Sequence, residues 1–240
     1  MLLKNCTAIV HGGSGSVGSA VALAFAREGA AVYLTGRTLA NLQEVADRIR
    51  EAGGVAHPDV LDIVDRDAVE RHAAAVARDN NGIDICFNAT SNDDVQGTPL
   101  IDMSTQDLLQ PITKAVTSTF TIATAAARHM ITRRAGVILV MGGGREAIPD
   151  LGGSHAAWSA VAGLCRQFAA ELGPHGVRVA WLLSPGSPDQ NEPDPEAERL
   201  LLPRRPSYDQ VANVAVFAAS DWAASMTATE INLTAGAVID

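Results

Sequence analysis

The sequence predicts an α/β fold in which about seven parallel strands form a doubly wound sheet with helices on both faces. Three observations carry that expectation. Short β-branched apolar runs alternate with longer stretches of helical periodicity. Most of the runs are apolar throughout, as strands buried on both faces of a parallel sheet must be. The first run then leads through a glycine-rich turn straight into a helix, the opening of a right-handed βαβ crossover.

Taken in order, the expected strands are Cys6–Val10, Ala31–Thr35, Gly54–His57, Ile83–Phe87, Val137–Met141, Val177–Leu183 and Ile231–Leu233. Between them, Val17-Ala20-Val21-Ala24-Phe25 marks a helix that stops at Gly29. Leu39-Leu42-Val45-Ala46-Ile49 marks a second that stops at Gly53, and Val69-Ala73-Val76 a third. Two longer helices are expected from about Thr105 to His129 and from about His155 to Leu172, with a last one from Tyr208 to Ala219. No internal repeat and no domain break interrupts the pattern, so residues 1–240 read as one domain. The segment Ser187–Glu196, rich in proline and acid, follows a strand and reads as a loop; its position makes a lid over residues 187–206 the expectation.

Composition bounds the function classes. With 47% hydrophobic residues the chain is not disordered, and no apolar run approaches the ~18 residues of a membrane span. Only Met1-Leu2-Leu3 precede Lys4, so no secretory signal is expected. Cys6, Cys86 and Cys165 are too few and too scattered for a disulfide framework or a metal site, which points to the reducing cytoplasm. Asp and Glu outnumber Lys and Arg by 27 to 18 without a basic cluster, which disfavours nucleic acid as a partner.

The glycine turn carries the first chemistry. Gly13-x-Gly15-x-x-Gly18 lies between a strand and a helix, the context in which glycines admit a pyrophosphate to a positive helix N-terminus. The expected contacts are Gly12, Ser14, Ser16, Val17 and Gly18. After the second strand the chain reads Thr35-Gly36-Arg37-Thr38, with no acid to take ribose hydroxyls. Arg37 suits a 2′-phosphate instead, so NADP(H) is expected over NAD(H).

The order of these landmarks resembles the short-chain dehydrogenase/reductase family over essentially the whole chain, which implies a Rossmann-type fold. His11–Gly18 is similar to that family's Thr-Gly-x-x-x-Gly-x-Gly, with His11 in place of Thr and Ser16 in place of the middle glycine. Asp62-Ile63 resembles its adenine-contacting Asp-Val pair, and Phe87-Asn88-Ala89-Thr90 its Asn-Asn-Ala-Gly turn. Ser184-Pro185-Gly186 resembles the Pro-Gly turn beside the nicotinamide, and Thr234-Ala235-Gly236 the terminal Asp-Gly-Gly. The resemblance implies that Asp62, Ile63, Asn88, Ala89, Pro185 and Gly186 also contact the cofactor. It further implies a homodimer or homotetramer packed through the two long helices.

The family's proton chemistry needs Tyr-x-x-x-Lys on one helix face, a serine that binds the substrate oxygen, and an asparagine that holds a relay water. The chain has two tyrosines and two lysines; Arg37 follows Tyr33 by four residues and Ala212 follows Tyr208, so the pair does not exist. Aligning the flanks puts Trp158 in the tyrosine's place, Ala162 in the lysine's, Gly143 in the serine's and Ala115 in the asparagine's. An indole N–H donates a hydrogen bond but is no acid near neutrality. His155, three residues before Trp158, is a weak substitute donor whose plainer reading is a solvated helix-start residue. Arg145, Glu146 and Asp150 read as exposed loop, and the face occupied by Lys114 is open. Two classes remain: an NADP(H)-linked oxidoreductase of carbonyls or alcohols with displaced or substrate-supplied proton transfer, and a catalytically silent dinucleotide-binding sensor or partner subunit.

Overall fold

The computed structural model describes residues 1–145, 148–184 and 200–239. Its elements follow in the order β1 Thr7–His11, α1 Ser16–Arg27, β2 Ala31–Gly36, α2 Leu39–Glu51, β3 Val55–Val60, α3 Arg66–Asp79 and β4 Ile85–Asn88. They continue with α4 Thr105–Arg133, β5 Gly136–Met141, α5 Ser154–Leu172, β6 Val177–Leu183, α6 Tyr208–Ala219 and β7 Thr229–Asn232. The seven strands form one sheet in the order β3-β2-β1-β4-β5-β6-β7, every pair parallel. The expected doubly wound architecture is therefore present.

The period-2 alternation of side chains divides the core between the two faces of the sheet. Val10, Leu34 and Phe87 point to the face covered by α1, α2 and α6, where they meet Phe25, Leu42 and Val211. Ile9, Cys86 and Ile138 point to the opposite face, where α3, α4 and α5 contribute Val69, Ile122 and Phe168. Each such fully buried aliphatic or aromatic side chain stabilises the fold by about 1.5–3 kcal/mol relative to its exposed state.

Boundaries differ from the sequence reading for physical reasons. β1 runs one residue later, to His11, because His11 stays in register with Thr35 and Asn88 and its Nδ1 lies 2.8 Å from Thr35 Oγ1. β3 continues through Pro58 to Val60; it is an edge strand, where a missing N–H costs no ladder bond on the open side. α4 runs on to Arg133 and ends at Arg134 in a left-handed conformation, φ 54°. Pro111 lies inside α4, against the backbone of Gly153 at the start of α5.

The chain winds outward from β1 to β3 and then crosses to β4 on the other side. The strand order reverses between β1 and β4, which opens a crevice at the carboxyl ends of these strands, the general ligand position in open α/β sheets.

Candidate functional site

The crevice is built first from the β1–α1 turn. The N–H groups of Gly12 and Gly13 both donate to the Thr35 carbonyl at 3.0 Å, which folds the turn against β2. Gly12 has φ +76°, and a Cβ there would meet the Ala89 carbonyl oxygen at 2.5 Å; a Cβ on Gly18 would run into the Gly12 carbonyl. Glycine is therefore required for the turn to close. α1 begins at Ser16 with Gly15 as its cap, no side chain bonds its first N–H groups, and its first turn carries no acid. Such an end is a fitting site for an anion.

Above this turn lies a cleft of about 460 Å³, lined by Gly12, Ser14, Arg37, Asp62, Ile63 and Ala89 from the set expected by sequence. Ser16, Val17 and Gly18 form the first turn of α1 beside it. Asn88 lies beneath: its buried Nδ2 donates to Thr119 Oγ1 at 3.1 Å, and its Oδ1 accepts from the N–H and hydroxyl of Thr90 at 3.1 and 2.7 Å. Asn88 thus braces the turn after β4 against α4. Asp62 Oδ1 accepts the Val64 N–H at 3.2 Å, which fixes the loop after β3. Pro185 and Gly186 lie outside the described residues, as do Glu146 and residues 187–199 of the expected lid. The described part of that lid is anchored by the Leu201 and Leu202 N–H groups, which donate to the Ala235 carbonyl at 3.0 Å.

The sequence reading left the face of Lys114 open and missed Asp93. Lys114 faces the cleft, where its ammonium pairs with Asp93. The hydrogen bond from Lys114 holds the Asp93 carboxyl below its usual range, with burial opposing and Arg37 adding a smaller favourable charge. Asp93 is tied to its own loop through Ser91, whose hydroxyl donates to Oδ1 at 3.1 Å. No sequence signal links Asp93 to Lys114, because the pairing spans 21 residues across a loop.

The catalytic positions expected from the resemblance lie largely where β5 ends and α5 begins. Gly143 is buried, and a Cβ built on it would collide with Cδ2, Cε2 and Cζ2 of Trp158. Cδ2 and Cε2 are the ring-fusion atoms, so the indole presents its face to Gly143. The two positions aligned by sequence are thus in contact. Ala115 is buried on α4 and Ala162 half-buried on α5. Ser154, at the start of α5, donates its hydroxyl to Asp94, which also accepts from Gln96 Nε2 at 2.6 Å. Burial works against the charge on Asp94, but these hydrogen bonds outweigh it and keep the carboxyl below its usual range. His155 is half-buried, and its Nδ1 is enclosed without a hydrogen-bond partner among the described residues.

The other loop groups are engaged elsewhere. Arg145 pairs with Glu230, which also accepts the Trp181 indole N–H at 2.6 Å. Asp150 is exposed and accepts the Gly97 N–H through its backbone carbonyl at 2.8 Å. Burial pushes the thiols of Cys86 and Cys165 up to about 12, and raises that of Cys6 as well, so none is a ready nucleophile.

Glycine turn, switch-point crevice and strand order together match one family. A family model described as enoyl-(acyl carrier protein) reductase matches residues 12–237. The chain belongs to the short-chain dehydrogenase/reductase family. It is 33% identical to gluconate 5-dehydrogenase of Gluconobacter oxydans over 187 residues, 77% of this chain and 72% of that one. It is 28% identical to D-threitol dehydrogenase of Mycolicibacterium smegmatis over 99% of this chain and 94% of that one. Among solved structures, a short-chain dehydrogenase/reductase from Mycobacterium marinum superposes with a TM-score of 0.89 at 27% identity, covering 99% of this chain and 97% of the other. As a short-chain dehydrogenase/reductase the chain has the fold of oxidoreductases that bind nicotinamide dinucleotides. Among the described residues, no helix is long and apolar enough to cross a membrane.

Proposed function

We propose that this chain is an NADP(H)-binding oxidoreductase that acts on a carbonyl or alcohol substrate through an active site without the family's Asn, Ser, Tyr and Lys. The observation that carries the reading is the cleft itself: an uncapped helix N-terminus behind a glycine turn, with Arg37 at the rim and no acid at the end of β2. Gly12, Ser14, Ser16, Val17 and Gly18 would hold the pyrophosphate, Arg37 the 2′-phosphate, and Asp62 with Ile63 the adenine. Asn88 and Ala89 would support the ribose side, and the resemblance assigns Pro185 and Gly186 to the nicotinamide. The bound cofactor supplies or accepts a hydride.

The chain's own groups then have to bind the substrate and handle the proton. Ala115, Gly143, Trp158 and Ala162 offer no acid. His155 is half-buried and lies one helical turn before Trp158, so it is our candidate donor. Asp94 holds the start of its helix in place through Ser154. The single domain spans residues 1–240, works in the cytoplasm as a homodimer or homotetramer, and needs no metal, membrane or nucleic acid.

Fluorescence titration with NADPH and NADH, followed by turnover of a panel of ketones and ketoacyl thioesters, tests this reading. Arg37→Ala should weaken NADPH about 10- to 100-fold while leaving NADH unchanged, the loss of charged hydrogen bonds to one phosphate. Equal weakening of both dinucleotides would remove Arg37 from the 2′-phosphate site. His155→Gln should abolish turnover and spare NADPH binding. The vacant acid positions favour one other reading, a silent sensor or partner subunit; tight NADPH binding without turnover of any panel member would select it.

A further inference from the structure

The contact between Gly143 and Trp158 has two consequences. Because the indole lies with its face on the glycine, the two residues are sterically interdependent: any side chain at 143 would have to pass through the ring. The volume from which residue 143 would present a hydrogen-bonding group is filled by aromatic carbon. Gly143 is buried while Trp158 is only half-buried, so the indole is covered on the glycine side and keeps part of its surface open. The other two positions that would carry polar groups here, Ala115 and Ala162, end at a methyl.

We propose that Trp158 is the specificity-determining residue of the substrate subsite: locked over Gly143, its indole replaces a hydrogen-bonding wall by a flat apolar one that selects planar, conjugated carbonyl compounds. The selection follows from the geometry of aromatic contact. A planar ring stacks offset on an indole, whereas a puckered aliphatic ketone touches it at few atoms. The proposal rests on the reading of this junction as the substrate subsite of an oxidoreductase, and it concerns binding by Trp158 rather than the reaction.

Two experiments test it, neither of which needs a dinucleotide. Thermal unfolding of Gly143→Ser, Trp158→Tyr and the double variant measures the interdependence. Gly143→Ser alone should lower Tm by roughly 4–10 °C, and the added Trp158→Tyr should restore most of that loss. Additive losses would overturn the interlock. Calorimetric titration with 9,10-phenanthrenequinone, a planar dicarbonyl, and with cyclohexanone measures the selection. The quinone should bind the unaltered protein and Trp158→Phe alike, and bind Trp158→Leu about tenfold more weakly. Cyclohexanone should bind all three at least about tenfold more weakly than the quinone binds the unaltered protein. Unchanged quinone binding by Trp158→Leu, or equal binding of the two probes, would overturn the selection. NADPH titration of the unaltered protein keeps the two readings apart, since its failure there would overturn the proposed function alone.

Discussion

His11 is an imidazole enclosed where the family places a threonine, with its Nδ1 2.8 Å from Thr35 Oγ1. Burial, and to a lesser degree the charge of His72, lowers its pKa from 6.5 to about 3. The unfolded chain takes up this proton near pH 6.5, so below that pH the unfolded state binds more protons than the native one. The contribution to stability is complete above pH 6.5 and is lost progressively as pH falls towards 3. His11→Thr should therefore flatten the dependence of the denaturation midpoint between pH 6.5 and about 5, above the range where most carboxylates titrate. An unchanged slope would mean that His11 is protonated in the native state. Gly12 is the other informative single residue. Its φ of +76°, and the Ala89 carbonyl oxygen 2.5 Å from the place a Cβ would take, leave no room for alanine. Gly12→Ala should cost about 1–3 kcal/mol in denaturant unfolding and remove measurable NADPH binding.

At the scale of elements, the junction of α5 with the β4–α4 loop sets where α5 begins. Gly153 gives α5 no side-chain cap, and the buried Ser154 hydroxyl instead donates to Asp94, a carboxylate at the positive end of the helix. Gly153 also lets α5 approach α4 at Pro111, so the two helices and the loop converge at one point. Asp94→Asn weakens both the charge and the hydrogen bond. It should lower stability by about 1–2 kcal/mol and loosen the start of α5, measurable as faster amide exchange in residues 154–158. Exchange confined to its former rate would show that the helix is held by its apolar face alone. Asp94 and Ser154 stand 60 residues apart, so this anchor has no signature in local sequence.

Across the whole molecule, α4 and α5 pack side by side on one face of the sheet, and α4 exposes the apolar side chains of Leu109 and Phe120. Phe120 is 41% exposed and lies over Phe168 with ring centroids 6.1 Å apart. If these helices form the proposed assembly, Phe120→Glu should convert a dimer or tetramer into monomer, with little change in the unfolding of the monomer itself. Sedimentation equilibrium distinguishes the outcomes, and an unchanged mass would move the interface off this face.

The architecture was legible in the sequence because a parallel sheet buried on both sides needs continuous apolar strands, and the helices that cover it need 3.6-residue stripes. Those patterns are local. The absence of a Tyr-x-x-x-Lys pair was equally legible, since Tyr33 and Tyr208 are followed four residues later by Arg37 and Ala212 and nothing in folding alters that count. Tertiary structure decided which side chains meet around the crevice. It turned Lys114 into the cleft against Asp93, joined Asp94 to Ser154 at the start of α5, and laid the Trp158 indole on Gly143. Each of these is a contact between segments that the chain brings together only when β4, β5 and their helices close around the crevice. Side-chain volume and direction there depend on all of those elements at once, whereas periodicity and motif spacing depend only on neighbours along the chain.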